Sequence, residues 1–175
     1  GNLWFCQTPT HGGSIGKITP PGVITTFPFT GNIPTPNGIT LGADGNLWFT
    51  QLDSGTIGRM TTAGVFTHFP MGITNGPAGI TAGPDGNLWF TVVGGNRVAR
   101  STTSGVVTEF AAGTVGPPRG ITTGPDGNLW VAEDGGGVLK ITTAGVVVAE
   151  YVAGISSQAA PYAIVTGADG NVWFT

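Results

Sequence analysis

Charge is what this sequence has least of. Only 9% of its 175 residues are Asp, Glu, Lys or Arg, six basic against nine acidic, a formal charge of −3. Disordered acidic or basic tails are rich in charge and poor in large apolar groups, whereas this chain is 39% hydrophobic, so that class is excluded. With a pI near 5.0 there is no basic footprint, and no nucleic-acid partner is expected. A single cysteine, Cys6, leaves no internal disulfide. No apolar run approaches the roughly 18 residues of a membrane helix, and no signal-peptide pattern is visible. No membrane partner is therefore expected. Lysine is scarce and threonine abundant, which points to an extracellular bacterial protein, with the bacterial cytoplasm as the alternative.

Glycine and proline are what the chain has instead. They number 32 and 13, and they are the two poorest helix formers, so a helical bundle is excluded. The glycines do not recur at every third position, which excludes collagen. An all-β protein of short strands and tight turns remains.

Internal repetition settles the architecture. Gly-Asn-Leu-Trp begins at Gly1, Gly45, Gly86 and Gly127, and Gly-Asn-Val-Trp at Gly170, at intervals of 44, 41, 41 and 43 residues. All five tryptophans (Trp4, Trp48, Trp89, Trp130, Trp173) lie in this motif. A period of this length without a helical segment predicts four-stranded antiparallel propeller blades. The first strand is expected at Gly38-Ile39-Thr40-Leu41, with counterparts starting at Gly79, Gly120 and Ala163. Asp-Gly turns follow at Asp44, Asp85, Asp126 and Asp169, where both residue types tolerate positive φ. The second strand, Asn-Leu-Trp-Phe-Thr, is apolar on both faces, as expected of a blade packed between two neighbours. The third is Ile57-Gly58-Arg59-Met60, and the fourth Val65-Phe66-Thr67-His68-Phe69.

Residues 1–6 and 170–175 are the same piece of the repeat. This reads as one propeller domain or half-propeller over residues 1–175: three complete blades, a fourth split between the ends, and a surplus strand. Four such blades leave open edges, which invite pairing. Two copies closing an eight-bladed ring would mend them; the alternative is a piece of a longer propeller.

The stretches Pro77–Thr91 and Pro118–Val131, with Ile57-Gly58-Arg59 in the repeat before them and Gly105-Val106-Val107-Thr108-Glu109-Phe110 between them, resemble the repeat of the virginiamycin B lyase (streptogramin B lyase) family. The resemblance covers essentially the whole chain. It implies a seven-bladed propeller. For the lyases it also implies linearisation of a cyclic depsipeptide antibiotic by elimination at its threonyl ester, with magnesium and His and Glu side chains at the channel mouth. At the Pro-x-Gly position, where the family can carry histidine, this sequence has Asn37, Ala78, Arg119 and Tyr162. Where a catalytic glutamate would stand it has Gln7, Gln51, Val92 and Glu133, and Gly135 replaces the histidine that would follow Glu133.

Candidates on the face formed by the loops entering each first strand and leaving each second strand follow from this. Glu133 and His11 are the catalytic candidates; Gln7, Asn37, Gln51, Asp53, Arg119, Asp134 and Tyr162 are candidate ligand-face residues. Asp53, Glu133 and Asp134 could offer oxygen ligands to a hard cation, Mg²⁺ under the lyase reading, although no metal site is assigned. His68 is expected on a solvent-exposed outer edge, and Cys6 as a buried small residue rather than a nucleophile. Lys17, Arg59, Arg100 and Lys140 form one column and are read as structural, their stems covering apolar edges. Two functions stay open. One is a non-catalytic propeller that binds a small molecule or peptide, or assembles as a homo-oligomer; the other is a streptogramin B lyase.

Overall fold

Each Asp-Gly pair folds its repeat back on itself, and the way it does so explains most of the motif. The computed structural model describes residues 1–8, 13–29, 36–72, 76–113, 116–152, 154–156 and 159–175. In it the Gly45 amide donates to the Gly42 carbonyl at 3.0 Å, and the Gly42 amide to Asn46 at 2.8 Å. Gly45 takes a φ of 74°, but Asp44 does not share it: Asn96 is the sole non-glycine at positive φ among the described residues. The loop is thus a turn ended by a left-handed glycine rather than one with both residues at positive φ. The aspartate has another task. Its carboxylate accepts the Asn46 amide at 3.2 Å, the Asn46 side chain at 2.8 Å and the Trp48 indole N–H at 3.0 Å. The same clamp recurs at Asp85, Asp126 and Asp169.

Five antiparallel sheets result. The first holds β1 (Leu3–Gln7), β2 (Ser14–Ile18) and β3 (Ile24–Pro28). The second holds β4 (Pro36–Leu41), β5 (Leu47–Gln51), β6 (Thr56–Met60) and β7 (Phe66–Pro70). The third holds β8 (Pro77–Ala82), β9 (Leu88–Val92), β10 (Arg97–Ser101) and β11 (Val107–Ala111), with a 3-10 turn at Val93–Gly95. The fourth holds β12 (Pro118–Thr123), β13 (Leu129–Glu133), β14 (Gly137–Ile141) and β15 (Val147–Tyr151), and the fifth β16 (Ile164–Thr166) and β17 (Val172–Phe174). Strands follow sequence order across every sheet. The innermost strands β4, β8, β12 and β16 pack successively against one another. This is the propeller-like all-β arrangement expected, with two corrections. The inner strands of the complete sheets start two residues earlier than expected, at the prolines. The two ends do not share a blade: β1–β3 and β16–β17 form separate sheets.

The core lies between sheets, in layers. Trp48 and Ile57 of the second sheet pack on Ile80, Leu88, Phe90 and Ala99 of the third. Trp89 and Val98 pack on Ile121, Leu129, Val131 and Leu139 of the fourth. Ile15 meets Leu47, Phe49 and Met60 across the first layer. The second strands β5 and β9 therefore turn their tryptophan to the following sheet and the next residue to the preceding one, which is why both faces are apolar.

The basic column is structural in detail. The Arg59 guanidinium lies 5.7 Å from the Trp48 ring centroid and 5.5 Å from that of Phe69; Arg100 lies 5.7 Å from both Trp89 and Phe110. Lys17 and Lys140 take the same place over Trp4 and Trp130. A cation over an aromatic face is attracted by the ring quadrupole. His68 is not the exposed edge residue expected. It is half-buried, its Nδ1 is 3.0 Å from Gln51 Oε1, and its ring lies 6.1–6.4 Å from Phe29, Phe49 and Phe66. Burial lowers its pKa.

Candidate functional site

The Pro-x-Gly segments build the centre of the molecule. In each complete sheet the register slips between the proline and the isoleucine three residues on: Pro36/Ile39, Pro77/Ile80 and Pro118/Ile121. Proline lacks an amide to donate, so a bulge suits it. Glycine follows because the next inner strand crosses closely. A Cβ on Gly79 would lie 2.5 Å from the Arg119 carbonyl oxygen, and one on Gly120 2.8 Å from that of Tyr162. The threonines of the second strand tie these crossings. Thr91 Oγ1 accepts the Gly79 amide at 2.9 Å and donates to the Arg119 carbonyl at 2.7 Å. Thr50 does the same between Gly38 and Ala78. Successive inner strands are thereby held at a fixed offset, and the variable x residues meet.

They meet at a concavity of about 230 Å³, whose lining includes Asn37, Ala78, Arg119 and Tyr162. Leu52, just past the end of β5, and Ile39, Ile80, Ile121 and Ile164 supply its apolar wall. Among the described residues Arg119 is its one basic member, and it is held on two sides. Its Nη2 and Nε lie 2.6 and 3.2 Å from Asp134 Oδ2, and its guanidinium carbon lies 5.9 Å from the Tyr162 ring centroid. A guanidinium bound to a carboxylate and stacked on a ring is oriented before any ligand arrives.

The remaining candidates divide. Asp134 reaches the concavity through Arg119. Gln7, Gln51 and Glu133 end β1, β5 and β13 and do not line it. Gln7 Oε1 accepts the Ser14 hydroxyl at 2.7 Å; Gln51 is 1% exposed and Glu133 0%. Asp53 is exposed, beyond β5. Among the described residues no three His, Cys, Asp or Glu side chains gather into a metal-binding group, so Asp53, Glu133 and Asp134 do not assemble an oxygen cage for magnesium. His11 lies outside the described residues. Burial pushes the Cys6 thiol up to about 12, which keeps it protonated and poorly nucleophilic. Sequence reasoning missed Leu52 and the threonine ties. A recurring threonine in the second strand, twelve residues after a Pro-x-Gly glycine, was the available signal for the ties.

Comparison with known proteins agrees with this fold. No curated protein sequence matches the chain. Among solved structures, selenomethionine-substituted virginiamycin B lyase from Staphylococcus aureus is 38% identical, with a TM-score of 0.87 over 99% of this chain and 59% of that one. A catalytically inactive variant of the Staphylococcus aureus lyase, with quinupristin, is 36% identical with a TM-score of 0.89, over 100% of this chain and 59% of that one. A putative gluconolactonase at 21% identity and TM-score 0.76 shares the fold. The chain thus spans about 59% of the length of the lyases it matches. The virginiamycin B lyase family matches residues 1–175. By its repeat, its sheets and that full-length match, this chain belongs to the virginiamycin B lyase family.

Proposed function

We propose that this chain is a binding module, with its recognition surface at the concavity where Asn37, Ala78, Arg119 and Tyr162 converge. The observation that carries the reading is the fixed Arg119, clamped by Asp134 and Tyr162 beside an isoleucine-lined wall. A donor fork over an apolar floor suits a ligand with carbonyl groups and an apolar or aromatic body, such as a small cyclic peptide. The chemistry of elimination finds less support. It needs a base that touches the substrate, and Glu133 is fully buried with Gly135 where a histidine would stand.

The family membership favours the second reading, a streptogramin B lyase acting by magnesium-dependent elimination. One relative was solved with quinupristin, which makes quinupristin the probe. Titration calorimetry with and without Mg²⁺, followed by mass analysis of the recovered ligand, separates the readings. Binding with the ring intact, weakened at least tenfold in Arg119→Ala, is the expected result. Ring opening that is lost in Glu133→Gln would establish the lyase reading instead. No heat of binding, or binding indifferent to Arg119→Ala, would sink the proposed surface.

A further inference from the structure

The repeat supplies its own comparison for the ion pair at the concavity. Arg119 stands where other repeats carry Asn37, Ala78 and Tyr162, and Asp134 where they carry Leu52 and Val93. Those sheets form without either member of the pair. Blade architecture therefore does not require it. Nor does the pair add much stability, because its two side chains are 31% and 34% exposed and ion pairs open to water contribute little. The backbone that carries the carboxylate is nonetheless fastened on both sides. The Asp134 amide donates to the Pro117 carbonyl at 2.9 Å, just before β12, and the Gly135 amide to that of Ala159 at 3.3 Å.

The hydrogen bonds show which donors are spent. Nε and Nη2 of Arg119 both go to Asp134 Oδ2. Among the described residues Nη1 has no partner, which leaves that end of the planar fork for a ligand. Charge is balanced as well. No other charged side chain lines the concavity among the described residues, so Asp134 brings its formal charge to zero. A ligand carbonyl can accept from Nη1 without disturbing the pair. A ligand carboxylate would have to approach one that already holds the cation, and like charges brought together cost affinity.

We propose, building on the recognition surface inferred above, that Asp134 makes the concavity selective for uncharged peptides. Cyclic or end-blocked peptides, which offer carbonyls but no carboxylate, are admitted; free acids are refused. Asp134 acts through Arg119 and is a positioning residue, and its own charge supplies the repulsive half of the selectivity.

Two probes that differ by a single charge test this. N-acetyl-phenylalanine amide and N-acetyl-phenylalanine share an aromatic body and an acetyl carbonyl, but only the second carries a carboxylate. Ile39, Ile80, Ile121 and Ile164 line the wall, so a magnetic-resonance titration of isoleucine methyl groups reports both probes. The unmodified chain should bind the amide several-fold more tightly than the acid. Asp134→Asn removes the repulsion and frees the guanidinium, so the preference should reverse, the acid gaining about tenfold. An aspartate that only held Arg119 in place would, when replaced, weaken both probes alike. That result, an unchanged preference in Asp134→Asn, or an unmodified chain that takes the acid as readily as the amide would overturn the proposal. Asp134→Leu, which copies Leu52 of the second repeat, covers the case of an asparagine variant that misfolds and should show the same reversal. Binding that depends on Arg119 but ignores ligand charge would leave the recognition surface standing and remove this selectivity alone. No methyl shift with either probe would remove both.

Discussion

Residue by residue, the middle of each blade pairs sizes across its hairpin. Phe49 faces Gly58 and Phe5 faces Gly16, while Phe90 faces Ala99 and Val131 faces Leu139. A large residue on the second strand requires a small one on the third. A Cβ on Gly58 would come to 2.0 Å from Phe49 Cζ. Gly58→Leu should therefore destabilise the protein by about 1–3 kcal/mol through overpacking. Adding Phe49→Val, which copies the fourth sheet's pair, should restore most of the loss, and a urea-denaturation double-mutant cycle measures the coupling. His68 gives a second prediction. Its native pKa is depressed by burial, so its contribution is complete above the ordinary value near 6.5 and is lost as the pH falls from there through the native value. The urea midpoint should drop between pH 7.5 and 5.5, and less so in His68→Gln. Carboxylates act lower on the scale. Burial tends to raise Asp126, but hydrogen bonds from Lys140, Asn128 and Trp130 outweigh it and hold the carboxyl well below the usual range.

At the level of elements, the threonine ties are the joints between blades. Thr91→Ala would leave the Gly79 amide and the Arg119 carbonyl short of a partner, at a cost of about 1–2 kcal/mol. Because that joint sets where Arg119 sits, ligand affinity should fall together with stability. A thermal melt and a quinupristin titration on the same variant check both. Most of this level was legible in the sequence. Period, turn positions and the two-faced second strand followed from Gly-Asn-Leu-Trp and the Asp-Gly pairs. The role of the aspartate was legible only in part, since an Asp-Gly pair signals a turn without saying that the carboxylate holds a tryptophan four residues on. His68 was misplaced because its column partners Thr26, Glu109 and Glu150 are polar. The phenylalanine that helps cover it, Phe29, lies just beyond β3 in the preceding sheet, out of reach of any pattern local to β7. The concavity was legible only in pieces: Asn37, Arg119 and Tyr162 could be named from the Pro-x-Gly column, but that they line one hollow depends on the crossing of successive inner strands, and the burial of Gln51 and Glu133 on packing between sheets.

For the whole molecule, each sheet touches mainly the sheets before and after it, so stability is close to a sum of blade and joint terms. The fifth sheet contributes least, with two strands of three residues and an exposed Trp173.

The paired volumes of Phe49 with Gly58 and Val131 with Leu139 are settled inside one blade, across a single hairpin. Genetic crossover between repeats is therefore not equally harmless everywhere. An exchange falling within the hairpin would join a phenylalanine to a leucine, or a valine to a glycine, giving a clash or a hole. One falling in the connections between blades would move each matched pair intact. Gene duplication and shuffling should accordingly have spared the hairpins and cut at the connections, so that whole blades are the heritable units of this fold.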